Sequence, residues 1–249
     1  MLERIENRTI LRVTGKDRVE FLQNLVTNDV RGIDRGIVYA ALLTPQGKYL
    51  ADFFLVPAGD AILLDVASSL APGLARRLAM YRLRADVTIE HAELHVSRGL
   101  GAAQDGAFVD PRHPALGWRL YAREPGDDPI TDWDAIRVKH CIPEAGTELV
   151  PEDSYILECG FERLHGVDFR KGCYVGQEVT ARMKHKTELK KGLRRVAVEG
   201  SAPVGTAIEA DGKPAGTLYT QSGGRGIAHL RLDRAQGGMR AGAAGLALL

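Results

Sequence analysis

The chain has 249 residues, enough for one large domain or two to three small ones around a substantial core. Hydrophobic residues make up 45% and charged residues 26%, the balance of an ordinary folded cytosolic protein. The net charge of +1 excludes polycation behaviour, so nucleic-acid or membrane association has to rest on a local patch. No apolar run approaches the roughly 18 to 20 residues of a transmembrane helix. The first residues, MLERIENRTILRV, mix acids with bases and lack an apolar h-region, so neither a signal nor a transit peptide is expected. Cys141, Cys159 and Cys173 form an odd set without close pairs, which argues against a disulfide framework and for a reducing compartment. With no CxxC, HExxH or carboxylate-rich loop, no protein-only zinc or calcium site is expected.

In chain order, residues 9–14 read as a strand ending at Gly15, and Asp17 stands where it could cap a helix carrying Val19, Leu22, Leu25 and Val26 at helical spacing. Two apolar runs, 37–43 and 49–56, flank the Thr44–Gly47 turn and predict a hairpin. A strand at 61–67 extends that sheet, a helix opening at Ser68 or Ser69 runs to about Leu83, and 86–94 returns as a strand. The Gly-, Pro- and Asp-rich stretch 95–130 holds short strands near 107–110 and 117–122. Thr131 is read as the cap of a helix ended by Pro143, with Asp134 completing a capping box. Its residues Trp133, Arg137 and Cys141 recur every four positions, with His140 alongside, an unusual mixture for a plain core stripe. From Gly192 onward, short alternating runs between Gly-rich turns predict a small antiparallel barrel or sandwich. Hairpins and helices together indicate an α+β fold.

The segment FRKGCYVGQEVTARMKHK (169–186) carries the most chemistry. Gly172 and Gly176 permit backbone conformations closed to other residues. Lys171 stands two residues from Cys173, and a helix is predicted from about Gln177. An ammonium and a helix N-terminus both stabilise a thiolate, so Cys173 is the thiol expected to react first, ahead of Cys141 and Cys159 in their apolar surroundings. The alternative is that Cys173 is a small buried hydrophobe in a tight turn.

The run Lys171-Gly-Cys-Tyr-Val-Gly-Gln-Glu178 with a following Ala-Arg resembles the signature of YgfZ/GcvT-like folate-binding proteins, bacterial and mitochondrial factors that support iron–sulfur proteins. Gly15–Asp17, Phe21–Val30, Leu43–Lys48 and Gly166–Phe169 resemble further family segments in the same order. The resemblance implies N-terminal α+β modules over 1–191, in two subdomains around a central folate pocket, and a C-terminal β-barrel over 192–249. It implies a tetrahydrofolate or one-carbon-folate ligand bound by Trp133, Arg137, Tyr174, Gln177 and Glu178, with Cys173, Lys171 and Asp52 as the chemical groups. A pterin stacks well on an indole, while Trp133 could equally be a half-buried helix residue. Arg137 could pair with a folate carboxylate, a pterin carbonyl or an internal acid.

The function so implied is that of an accessory factor for assembly or repair of iron–sulfur proteins, with apoproteins or assembly proteins as partners. The compartment would be bacterial cytoplasm or mitochondrial matrix. A folate-dependent aminomethyl or one-carbon transferase is the first alternative, but where those enzymes carry two acids the chain has Ala51-Asp52. A tRNA-modification partner is the second, resting on seven Lys/Arg against one acid over 182–195. That run lacks the aromatic interleaving of single-strand binders and reads equally as a solvated face or a dock for an acidic protein, so nucleic acid is not an expected partner. His140-Cys141 and Arg8 also depart from the family, which has Ala-Gly and, in some members, a Trp at these places.

Overall fold

The computed structural model describes residues 1–186 and 188–249. Thr187 lies outside the described residues, as does the side chain of Lys186, one of the seven cations of the basic run. The chain divides into two compact units, Met1–Ile130 with Glu162–Val179, and Thr131–Phe161 with Thr180–Leu249.

The first unit contains β1 (Glu3–Arg4), β2 (Arg8–Thr14), α1 (Arg18–Gln23), β3 (Val38–Leu43), β4 (Tyr49–Ala58), β5 (Ala61–Ala67), α2 (Ala71–Arg82), β6 (Thr88–Ala92), β7 (His95–Gly99), β8 (Phe108–Val109) and β9 (Trp118–Ala122). They form a five-stranded sheet in the order β3-β4-β5-β2-β6 and a four-stranded sheet in the order β1-β7-β9-β8. The predicted hairpin is present, with Val38 opposite Leu55 and Leu42 opposite Ala51. Strands alternate their side chains between faces, and over β3, β4 and β5 both faces are buried. One carries Leu11, Val13, Ala40, Leu42, Phe53, Leu55, Ile62, Leu64 and Val66 against Phe21 and Leu22 of α1 and Leu74 and Leu78 of α2. The other presents Tyr39, Asp52, Phe54 and Asp65, all 4% exposed or less.

Acids survive on that second face because each is fully partnered. Arg8 Nε donates to Asp65 Oδ1 at 2.5 Å, while Arg119 Nη2 at 2.6 Å and the Tyr121 hydroxyl at 2.9 Å donate to Oδ2. Arg112 makes a bidentate contact with Asp110. The guanidinium carbons of Arg119 and Arg112 lie 4.2 and 4.8 Å from the Phe54 ring centroid, so their planar faces find cation–π contact where water is excluded.

The second unit holds α3 (Trp133–His140), most of α4 (Gln177–Lys186), and β10 (Lys191–Glu199), β11 (Thr206–Ala210), β12 (Lys213–Ser222), β13 (Arg225–Arg231), β14 (Met239–Ala241) and β15 (Ala244–Leu248). These six strands close in the order β10-β13-β12-β11-β14-β15. Val196, Val198, Ile208, Leu218, Ala228, Leu230, Met239 and Leu246 fill the barrel, and closure leaves no unpaired edge. The fold is mixed α+β with a closed C-terminal barrel.

Local readings differ at the helix starts. Asp17 precedes α1 but makes no side-chain cap; its Oδ2 accepts from the Asp86 backbone N–H at 2.8 Å. The cap of α3 is Asp132, which accepts from Ala135 N, not Thr131. This helix ends at His140, before Pro143, because Cys141 adopts φ 52°. Helix α2 starts at Ala71, two residues later than the serines suggest. Strand β7 was not expected: HVSRG offers one apolar side chain, and its place comes from pairing with β9.

Candidate functional site

Helix α1 ends in a turn whose carbonyls have no helical partner. Lys171 supplies one. Its Nζ donates to Gln23 O at 2.6 Å, Val26 O at 2.6 Å and Asn28 O at 3.0 Å, and lies 5.4 Å from the Tyr174 ring centroid. The residue is 8% exposed. Burial pulls its ammonium down to about 8, partly offset by Asp29 and Asp168.

The same turn grips the chain just before the signature. Thr27 Oγ1 donates to Gly166 O at 2.7 Å and accepts from Ala41 N, and Thr27 O accepts from Asp168 N at 3.0 Å. Asn28 Nδ2 donates to Tyr39 O and His165 O at 2.8 and 2.7 Å. On the far side, Gly176 has φ 83°, and a Cβ there would stand 2.6 Å from Thr44 O in the β3–β4 turn. Three sequence segments that carry the family resemblance therefore meet: the end of α1, the hairpin turn and the signature loop. Between the buried Lys171 and the buried Tyr174, Gly172 and Cys173 are exposed.

Only one of the two signature glycines is conformationally obligatory. Gly176→Ala would combine left-handed strain with a backbone clash and is expected to cost about 1–3 kcal/mol. Gly172 has no positive φ and open space around its Cα, so Gly172→Ala should be near neutral. Urea denaturation of the two variants checks the contrast.

The other thiols differ from Cys173 in setting. Cys159 is 1% exposed, and burial pushes its thiol up to about 12, while Cys141 is half-buried. Asp52, on β4, accepts from the Tyr39 hydroxyl at 2.9 Å and the Tyr49 hydroxyl at 2.6 Å. Burial, then the Asp52 charge, pushes both phenols well above their ordinary value.

Trp133 and Arg137 lie on α3 in the second unit, each 6% exposed. The Arg137 guanidinium reaches Glu148 at 2.5 Å, Asp134 at 2.7 Å and Glu144 at 3.1 Å, and donates to Ile142 O. Of its alternatives, pairing with internal acids describes the contacts it makes. Tyr174 is buried, Gln177 half-buried and Glu178 exposed, all in the first unit. In the basic run, Arg182, Lys184, Lys190, Lys191 and Arg194 are exposed, and Arg195 donates to Lys139 O. Sequence reasoning missed Thr27 and Asn28 as parts of the loop's seat. The available signal was their place in the segment that carries the N-terminal resemblance.

A family model described as the CAF17 C-terminal beta-barrel domain matches residues 190–249. Across 94% of its length, this chain is 31% identical to the mitochondrial iron–sulfur cluster assembly factor IBA57 of Mus musculus and to that of Homo sapiens, covering 78% of each. An IBA57 homolog of Mycosarcoma maydis is 32% identical over 76% of this chain and 55% of that protein. The crystal structure of glycine cleavage system aminomethyltransferase T from Bartonella henselae superposes with a TM-score of 0.79 at 13% identity, covering 99% of this chain and 84% of that one, which identifies the fold.

Proposed function

The chain belongs to the IBA57 family of iron–sulfur cluster assembly factors, and from that premise we propose that it acts in assembly or repair of iron–sulfur proteins, with the Cys173 thiolate as the group that meets the cluster. The observation that carries this reading is an exposed soft ligand on a loop fixed at both ends. A cluster of the [2Fe–2S] or [4Fe–4S] type takes about four protein ligands. Among the described residues no group of three or more His, Cys, Asp or Glu side chains could hold a metal. The remaining ligands would come from an apoprotein or an assembly protein, and the cluster is cargo. Depleting the chain in its own cell should lower the activity of cluster-dependent enzymes without lowering their polypeptide. Unchanged activities would remove the assembly role.

Tetrahydrofolate is the ligand the fold family suggests, and the residues fit it in part. Arg137 spends its donors on internal acids, so it offers no free charge to a folate glutamate. In the second unit, Trp133 is the residue that would meet the ligand, with its indole as a stacking surface; Tyr174, Gln177 and Glu178, in the first unit, are separate candidates. Trp133→Ala, in protein whose far-UV spectrum matches the parent's, should weaken tetrahydrofolate binding by about 1–2 kcal/mol in calorimetric titration; unchanged affinity removes Trp133 from the site. The transferase alternative is weaker. Proton transfer needs a carboxylate free to reach substrate, and both Asp52 oxygens already accept phenolic protons.

A further inference from the structure

Lys171 is two residues from Cys173, and adjacency alone casts it as the counter-charge of the thiolate. Donor arithmetic points elsewhere. An ammonium has three N–H donors and no acceptor, and the three carbonyls of Gln23, Val26 and Asn28 take all three. No N–H remains to meet a thiolate. Of those carbonyls, Gln23 O is an orphan of the last turn of α1 and Val26 O and Asn28 O belong to the turn that follows, and the same turn binds the preceding segment through Thr27 and Asn28.

We propose that Lys171 is a positioning residue: its ammonium locks the signature loop into the carbonyl cradle of the Gln23–Asn28 turn and so presents Cys173 at a fixed place. The proposal rests on Cys173 being the working thiol, but its geometry stands apart from what that thiol meets. A compact ammonium can aim three donors at converging carbonyls, whereas the planar fork of arginine cannot. The lock therefore depends on shape as well as charge.

The test uses the full chain with Lys171→Met and Lys171→Arg. A nitroxide on the exposed Cys173 reports loop mobility by electron paramagnetic resonance. Iodoacetamide alkylation of unlabelled Cys173 across pH reports the charge felt by the thiol. Both variants are expected to lose the immobilised spectral component, and Lys171→Arg, which keeps the charge, is expected to leave the pH dependence of alkylation that of the parent. Retention of the immobilised component by Lys171→Arg, or a moved pH dependence with an unchanged spectrum in Lys171→Met, would overturn the assignment. Should Lys171→Met not fold, Asn28→Ala frees the same segment from the other side; mobilisation supports the lock and an unchanged spectrum contradicts it. Neither readout involves an iron–sulfur enzyme, so failure here is distinct from failure of the assembly role.

Discussion

Asp65→Ala is expected to destabilise the first unit by about 3–5 kcal/mol, the cost of breaking a buried ion pair and leaving its cation behind. The Asp65 side chain is fully buried, and the Arg119 side chain is 4% exposed. After truncation, the remaining acid near Arg119 is Asp110, 3.5 Å away and already bidentate to Arg112. Arg8 loses its carboxylate at the same time. The exposed pair Arg12–Asp60 supplies the control, since such pairs are worth at most about 1 kcal/mol. Urea denaturation of Asp65→Ala and Arg12→Ala measures the difference.

The same carboxylate gives the stability a pH signature. Burial pushes Asp65 up, but the charges and hydrogen bonds of Arg8 and Arg119 outweigh it and hold the group at about 2. An unfolded Asp titrates near 3.9, so the unfolded chain binds the proton more readily. The contribution is complete above about pH 4 and disappears as pH falls toward about 2. Asp65→Ala should therefore flatten that acid limb as well as lower the plateau.

Glu148→Ala carries a comparable effect in the second unit. The Glu148 side chain is 0% exposed and accepts from Arg137 Nη2, Glu144 N, Thr220 Oγ1 and Thr220 N. It thereby ties α3 to β12 of the barrel. Removing it takes the Oε1 acceptor from Thr220 and leaves Arg137 with the half-exposed Asp134 and Glu144. The expected loss is about 3 kcal/mol, the lower end for a broken buried pair because those two acids remain. A loss below that of an exposed pair would mean Arg137 is satisfied without Glu148.

Short-range pattern made much of this fold readable. Apolar runs around Thr44–Gly47 located the first hairpin, and alternation from Gly192 located the barrel, whose first strand starts at Lys191. The polar face was not readable, since Arg8 and Arg119 meet Asp65 across 57 and 54 positions. In one dimension these charges look like solvated surface. At the candidate site, the start of α4 at Gln177 was visible in the signature, whereas spacing alone left Cys173 open between an accessible thiol and a buried turn residue, and it is exposed. The bonding of Lys171 was not, because its acceptors are backbone atoms 143 to 148 residues away and carbonyls leave no mark on residue type.

Cys173 is proposed as the working group in iron–sulfur assembly. Its most direct test is the activity of a cluster-dependent enzyme in cells depleted of the native protein and supplied with parent, Cys141→Ser or Cys173→Ser at equal abundance. The parent and Cys141→Ser should restore activity, and Cys173→Ser should not, although it should fold, because Cys173 is exposed and the substitution is small. Full restoration by Cys173→Ser would remove the thiol from the assembly role.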